Sequence, residues 1–245
     1  MLFTKFKLID VAPKGDWYVS RKFDGVRCAV DICTNRLITR NNIVFENETF
    51  VRSLNISQNV VLDCEFVAAN LSQMITKFRK LQKKQFVTDF LVLVIEAVPR
   101  EEFFGNVRKT LFLQRQLSNL QVWTNQKHGV YRIAQHKVTN PKLESPKHWE
   151  GIVLRKNTLY GTAGLKWKRF CTDEFQIVAV TIINKRLKNI VVKKGNIQSK
   201  VGTGFTNLQR ATLRNLVGKY ATIKYFEETK TSLRHPSFVS IRDYE

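Results

Sequence analysis

The chain has 245 residues, 43% hydrophobic and 25% charged, enough to bury one large core or two smaller ones. Its 41 Lys/Arg against 20 Asp/Glu give a formal charge of +21 and a pI near 10.1, an excess that favours a polyanionic partner. No run approaches the roughly 20 apolar residues of a membrane span, and neither a sustained basic amphipathic helix nor a lipidation motif is present. Nucleic acid is therefore the expected partner, and a membrane is not. The opening MLFTKFKLIDVAPKGDW lacks the apolar core of a signal peptide, and Cys28, Cys33, Cys64 and Cys171 form no C-x-x-C pair. Reduced thiols and an intracellular location are the expectation.

In chain order, runs rich in β-branched and aromatic residues predict strands at 17–20, 27–32, 37–40, 60–66, 90–98, 151–154 and 166–170. Two helical patterns fall among them. The first, 71–85, spaces Leu71, Ile75, Phe78, Leu81 and Gln82 along one side; the second, 107–120, spaces Leu111, Leu113, Leu117 and Leu120. After about residue 172 the texture changes to five short strands, 175–183, 189–194, 199–204, 219–226 and 238–242. A helix-like run at 206–217, with Thr206 as N-cap, separates the third from the fourth. That order is the order of an OB-fold β-barrel. The expected fold class is α+β, with domains at 1–172 and 173–245.

The hexamer Lys22-Phe23-Asp24-Gly25-Val26-Arg27 lies between two predicted strands. A lysine held there and desolvated can become a nucleophile towards phosphorus; a plain charged turn is the competing reading. From Asn106 to Phe170 the chain carries 13 Lys/Arg and two acids, Glu144 and Glu150. An acid in such surroundings is a pairing partner or a metal ligand. Asp63 and Glu65 alternate with apolar neighbours, as polar residues on a solvated strand face do, and Lys166 and Lys168 around Trp167 could equally be a cationic strand edge. The four histidines form no ligand set.

K-x-D-G-x-R resembles the active-site signature of the covalent nucleotidyltransferases, the ATP-dependent DNA ligases and mRNA capping enzymes. Further elements follow in the family's order. Thr39-Arg40-Asn41 resembles the Arg-bearing strand after the nucleophile, and Leu62-Asp63-Cys64-Glu65-Phe66 the D-G-E-L element, with Cys64 where Gly is usual. Val94-Ile95-Glu96-Ala97-Val98 is similar to F-D-x-L, Glu150-Gly151-Ile152-Val153-Leu154-Arg155 to E-G-V-V/I, and Leu165-Lys166-Trp167-Lys168 to K-W-K. The resemblance spans residues 16 to 170 and extends to the final strand region of small viral and bacteriophage-type ligases. There the signature R-x-D-K is incomplete, since Arg242-Asp243-Tyr244-Glu245 ends the chain.

The resemblance implies an ATP-grasp-like, antiparallel-sheet nucleotidyltransferase domain followed by the OB domain, acting as a monomeric DNA ligase in repair or replication. Lys22 would carry AMP. Arg27 and Glu65 would hold the ribose, Ile95 the adenine, and Lys166 and Lys168 the α-phosphate. Glu150, with Glu65, would bind Mg²⁺ or Mn²⁺, and Arg40 would face the 5′-phosphate of nicked duplex DNA. An RNA ligase is the nearest alternative. A capping guanylyltransferase usually shows Asp in place of Glu150; an NAD-dependent ligase would need an added N-terminal module and usually a zinc site. A non-catalytic DNA-binding protein is the alternative from another class. Only 21 residues separate Ile183 from Phe205, too few for a long DNA-encircling hairpin as well as two barrel strands.

Overall fold

A computed structural model describes residues 3–56, 59–117 and 130–242. It divides into two compact units, Met1–Trp167 and Lys168–Glu245. In the first unit, two sheets share the chain between them. Strands β1 (Phe6–Leu8), β2 (Asp16–Lys22), β3 (Val26–Asp31), β4 (Arg36–Thr39) and β5 (Val44–Glu46) precede helix α1 (Glu48–Ser53). Then come β6 (Val60–Val67), α2 (Leu71–Gln82), β7 (Leu91–Pro99), α3 (Arg100–Phe104) and α4 (Phe112–Leu117). Strands β8 (Val130–Arg132), β9 (His136–Thr139), β10 (Gly151–Arg155) and β11 (Gly164–Lys168) complete the series. One sheet runs β1-β11-β10-β2-β9 and the other β5-β4-β3-β6-β7-β8. The antiparallel pairing that the resemblance implies is interrupted in each sheet: β1 joins β11, and β8 joins β7, in parallel.

The six-stranded sheet is buried on both faces. On one, Cys28, Leu62, Cys64 and Phe66 pack beneath Met74, Phe78 and Leu81 of α2. The helix thus turns a face through residue 74 to the sheet, and Ile75, predicted to face inward, is exposed. Asn70 caps it, its side chain accepting from the Gln73 N–H, which fixes its start. Cys64 points into this core, fully buried, so the position that is Gly in the resembled family here fills packing space.

The opposite face is held by Phe3, Ala29, Ile38, Val61, Val98, Phe103 and Tyr160, and it also buries charge. Arg27 forks onto Asp63 at 2.9 and 2.5 Å, and Tyr160 donates to the same carboxylate at 2.9 Å. Glu96 pairs with Arg115 at 2.6 Å and lies 3.6 Å from Arg155. Asp63 is therefore no solvated strand residue: it is wholly buried, and its charge is met by a bidentate partner. Burial lowers the Arg155 pKa to about 10, against the pull of Glu96. The helical run predicted at 107–120 is α4 alone within the described residues; Leu111 instead bridges Leu159, and 118–120 lie outside them.

The second unit holds β12 (Cys171–Ile183), β13 (Arg186–Lys194), β14 (Ile197–Val201), α5 (Asn207–Thr212) and β15 (Tyr220–Tyr225). A short pair follows, β16 (Glu227–Glu228) with β17 (Leu233–Arg234), and then β18 (Ser237–Arg242). The sheet runs β14-β13-β12-β15-β18 around a core of Phe175, Ile177, Leu187, Ile190, Val192 and Ile223. Among the described residues strand pairing leaves it open rather than closed into a barrel, with the Phe238 N–H donating to the Thr203 carbonyl from its far edge. Asn184 and Lys185, both at positive φ, turn β12 directly into β13. Gly195 and Asn196 turn β13 into β14 just as tightly, so no long hairpin is inserted here. Thr206 caps α5 through a reciprocal capping box with Gln209. The helix stops at Thr212, short of the predicted 217, because it buries no residue and Leu213 is extended. No helix among the described residues is long and apolar enough to cross a membrane.

Candidate active site

Lys22 ends β2, and the next residues carry the chain from one sheet to the other, into β3. Strand register then decides what Lys22 meets. Gly151 of β10 pairs with Lys22, which sets Glu150 immediately beside it. The Lys22 ammonium is in direct contact with the Glu150 carboxylate, and the Glu150 side chain is only 3% exposed. Arg21, one residue earlier, stacks over Phe23 at 4.5 Å and Trp149 at 5.6 Å, tying the two segments together.

A cross-strand row on the other sheet completes the surroundings. Arg27 of β3 faces Glu65 of β6, which faces Leu93 of β7. A bulge between Asp63 and Cys64 interrupts the pairing with β7, which matches Asp63 with Glu96 and Cys64 with Val94; Ile95 lies between those two. Ile95 is buried and clusters with Leu93 and Ile133, against which Phe23 and Val67 pack. An apolar wall thus lies against the residue next to Lys22. Burial pushes the Glu65 carboxyl up to about 7, against the opposing charges of Lys22 and Arg27, and Asp63 and then Glu150 add to the rise. The two carboxylates are therefore close enough to feel each other.

Gly25 is fixed by contact rather than by φ. A Cβ there would lie 2.3 Å from the Phe66 carbonyl oxygen and 3.0 Å from Glu65 Cγ. Gly25→Ala is expected to push the loop off β6 and lower stability by about 1–3 kcal/mol. Parental thermal unfolding together with parental reactivity at Lys22 would contradict this tight approach.

The structure thus brings Lys22, Arg27, Glu65, Ile95 and Glu150 together within the first unit. Arg27 uses its fork on Asp63 and its Nη1 on the Thr4 carbonyl at 2.9 Å, so whatever it offers a ligand is limited by those partners. Lys166 is half-buried on β11, opposite Leu8. Lys168 falls in the second unit, its ammonium over the Phe226 ring at 5.3 Å. Arg40 lies just past β4 in an exposed turn and makes no ion pair among the described residues. Of the last signature, Arg242 ends β18, donating to Thr222 at 2.9 Å and pairing with Glu174 at 3.0 Å; Asp243, Tyr244 and Glu245 lie outside the described residues. Asp63, Tyr160, Glu96, Arg115 and Arg155 support the site without having been singled out in the sequence as its members. For Asp63 and Glu96 the one local signal is a charge inside an otherwise apolar strand.

Residues 183–242 match the family described as the DNA ligase OB-like domain. No curated protein matches the chain. Among solved structures, the chain is similar to Pmar-Lig_Pre, 22% identical over 95% of this chain and 64% of that one, with a TM-score of 0.76. It is also similar to a structure from a study of DNA binding with a minimal scaffold by Lig E DNA ligases, 19% identical over 98% of both chains, with a TM-score of 0.72. The chain spans 64% of the length of Pmar-Lig_Pre and of the related Pmar-Lig_PreS3. At these identities the likeness is one of fold. The chain has a ligase-like fold, mostly sheet with few helices, ending in an OB-like domain.

Proposed function

We propose that this chain is an ATP-dependent DNA ligase that seals 3′-OH/5′-phosphate nicks in duplex DNA through AMP carried on Lys22. The observation that carries the reading is the contact between Lys22 and buried Glu150, beside Glu65, in a ligase-like fold. An ammonium has no lone pair, so Lys22 must surrender a proton before it attacks, and the Glu150 carboxylate is placed to hold it. The Lys22 nitrogen then bonds to the α-phosphorus as the bond to pyrophosphate breaks. Ile95 and its apolar neighbours suit the adenine, and Glu65 with Arg27 suits the ribose hydroxyls. Lys166 and Lys168 are assigned to the phosphates, where charge builds. The AMP next passes to the 5′-phosphate of the nick, and attack by the 3′-OH releases it and joins the strands.

A divalent cation fits this donor set. Among the described residues no group of three or more potential protein ligands exists. Mg²⁺, however, usually takes one or two carboxylates and completes its shell with water and substrate phosphates. Glu150 and Glu65, two carboxylates whose mutual repulsion a cation would relieve, are the residues that would hold Mg²⁺ or Mn²⁺. Bound there, the ion would neutralise developing charge on the phosphates.

The test is a sealing assay with ATP and Mg²⁺ on labelled nicked duplexes of DNA, RNA and hybrid. Sealing of the DNA nick, dependent on ATP rather than GTP or NAD, is the expected result. Preferential sealing of RNA would reassign the polymer. DNA binding with no sealing of any nick would leave a binding protein.

A further inference from the structure

Gln135 holds a pair of polar atoms that the fold leaves unused. Its Oε1 and Nε2 are both buried, and neither has a hydrogen-bond partner among the described residues. Buried polar groups rarely keep that state, because each has given up its water and gained nothing in return.

The backbone places this amide beside the candidate active site. Between β8 and β9 the chain passes from the six-stranded sheet to the five-stranded one, the reverse of its passage between β2 and β3. The crossing starts at Ile133, whose N–H donates to the Val94 carbonyl at 3.0 Å, and reaches β9 at His136, which pairs with Val19. Carrying that antiparallel register one residue further sets Gln135 beside buried Ser20, on the face of β2 that also bears Lys22. The same face turns towards the other sheet. Tyr18, which shares it, pairs with Arg155, and the Arg155 guanidinium lies 3.6 Å from Glu96 of β7. At the other end of the crossing, Ile133 packs with Leu93 and Ile95, the apolar wall that suits the adenine.

We propose that Gln135 selects the base of the nucleotide, its Oε1 accepting from the 6-amino group of adenine and its Nε2 donating to the adjacent ring nitrogen, N7. A carboxamide presents one acceptor and one donor side by side, which matches that edge of adenine. Guanine offers two acceptors there, O6 and N7, and one amide cannot satisfy both. The wall of Leu93, Ile95 and Ile133 holds any flat base; the amide makes the choice among them. The inference rests on the nucleotide-binding reading of this site and adds the residue that sets its base preference.

AMP labelling of Lys22 is followed across nucleotide concentration with ATP, GTP, purine riboside triphosphate, which lacks the 6-amino group, and 7-deaza-ATP, which lacks N7. In the parent each change of base should raise KM about 5- to 100-fold, with the limiting rate within about threefold, since the base contact is the same before and during attack at phosphorus. In Gln135→Leu the KM for ATP should rise to within about threefold of those for the two analogues. Gln135→Met, of nearly the same shape and without either polar group, serves where Gln135→Leu does not fold. A merely structural amide would weaken all four nucleotides alike and leave their ratios parental. Calorimetry on Lys22→Ala chains, with and without the Gln135 change, reads the same ratios with no covalent step. A parent that takes no label, while its Lys22→Ala form still binds ATP above the analogues and loses that preference with Gln135, would sink the ligase chemistry and uphold the base reading. The proposal is overturned if the folded Gln135 variants keep the parental ratios, if the parent does not distinguish ATP from the two analogues, or if no nucleotide binds.

Discussion

Lys22→Ala is expected to abolish the covalent protein–AMP adduct while leaving DNA affinity within about twofold of the parent, since Lys22 neutralises one phosphate at most. Its cationic neighbours among the described residues are poorly placed to take over. Arg21 is a guanidinium stacked on Phe23, and Arg27 is forked onto Asp63, so neither offers an amine to phosphorus. Lys166 is on β11, with β10 between it and β2 in the sheet. Glu150 loses its contact with Lys22 in the variant and remains a nearly unexposed carboxylate, yet a single strand-end pair is a small part of either sheet. Circular dichroism and thermal unfolding should therefore show a folded protein. ATP-dependent label persisting on the folded Ala variant would place the nucleophile elsewhere.

Arg40→Ala should separate the two halves of the reaction. Arg40 stands in the exposed turn between β4 and β5, in the first unit but not among the residues gathered at Lys22. A terminal 5′-phosphate carries more charge than a bridging one, and a guanidinium can hold two of its oxygens at once. If Arg40 grips the nick, the variant forms lysyl-AMP at near-parental rate and seals poorly. Removing one charge-assisted bidentate interaction is worth about 2–4 kcal/mol, roughly 30- to 1000-fold in sealing rate. Arg40→Lys should recover only part, because a point charge cannot reproduce the fork. Single-turnover sealing of a pre-adenylated nick isolates the step, and a rate within about twofold of the parent would make Arg40 a solvated turn residue.

The legible parts of this fold are those with local causes. Helix α2 was readable from its apolar spacing, and the start of α5 from Thr206, since each is decided within a few residues. The end of α5 was not, because a helix with no buried face stops where propensity and the next loop decide. Short strands such as β1, β8 and β9 carry no local signal, because they hold few residues and their neighbours lie far along the chain. The same separation hid the buried charges. Arg27 with Asp63, and Asp63 with Tyr160, join residues 36 and 97 positions apart, and no local period encodes such pairs. Asp63 and Glu65, two residues apart on one strand face, differ for that reason: Asp63 is closed off by Arg27 and Tyr160, whereas Glu65 feels Lys22 and has its charged form disfavoured by burial.

The proposed ligation turns on the nitrogen of Lys22, and one measurement addresses it directly. The protein is incubated with labelled ATP and Mg²⁺ without DNA, then digested, and the labelled peptide is sequenced by mass spectrometry. The expected result is one AMP on the peptide containing Lys22-Phe23-Asp24-Gly25, through a P–N bond that survives alkali and is released by acid. An AMP on any other residue, or no adduct from a protein that nonetheless seals nicks, would contradict it.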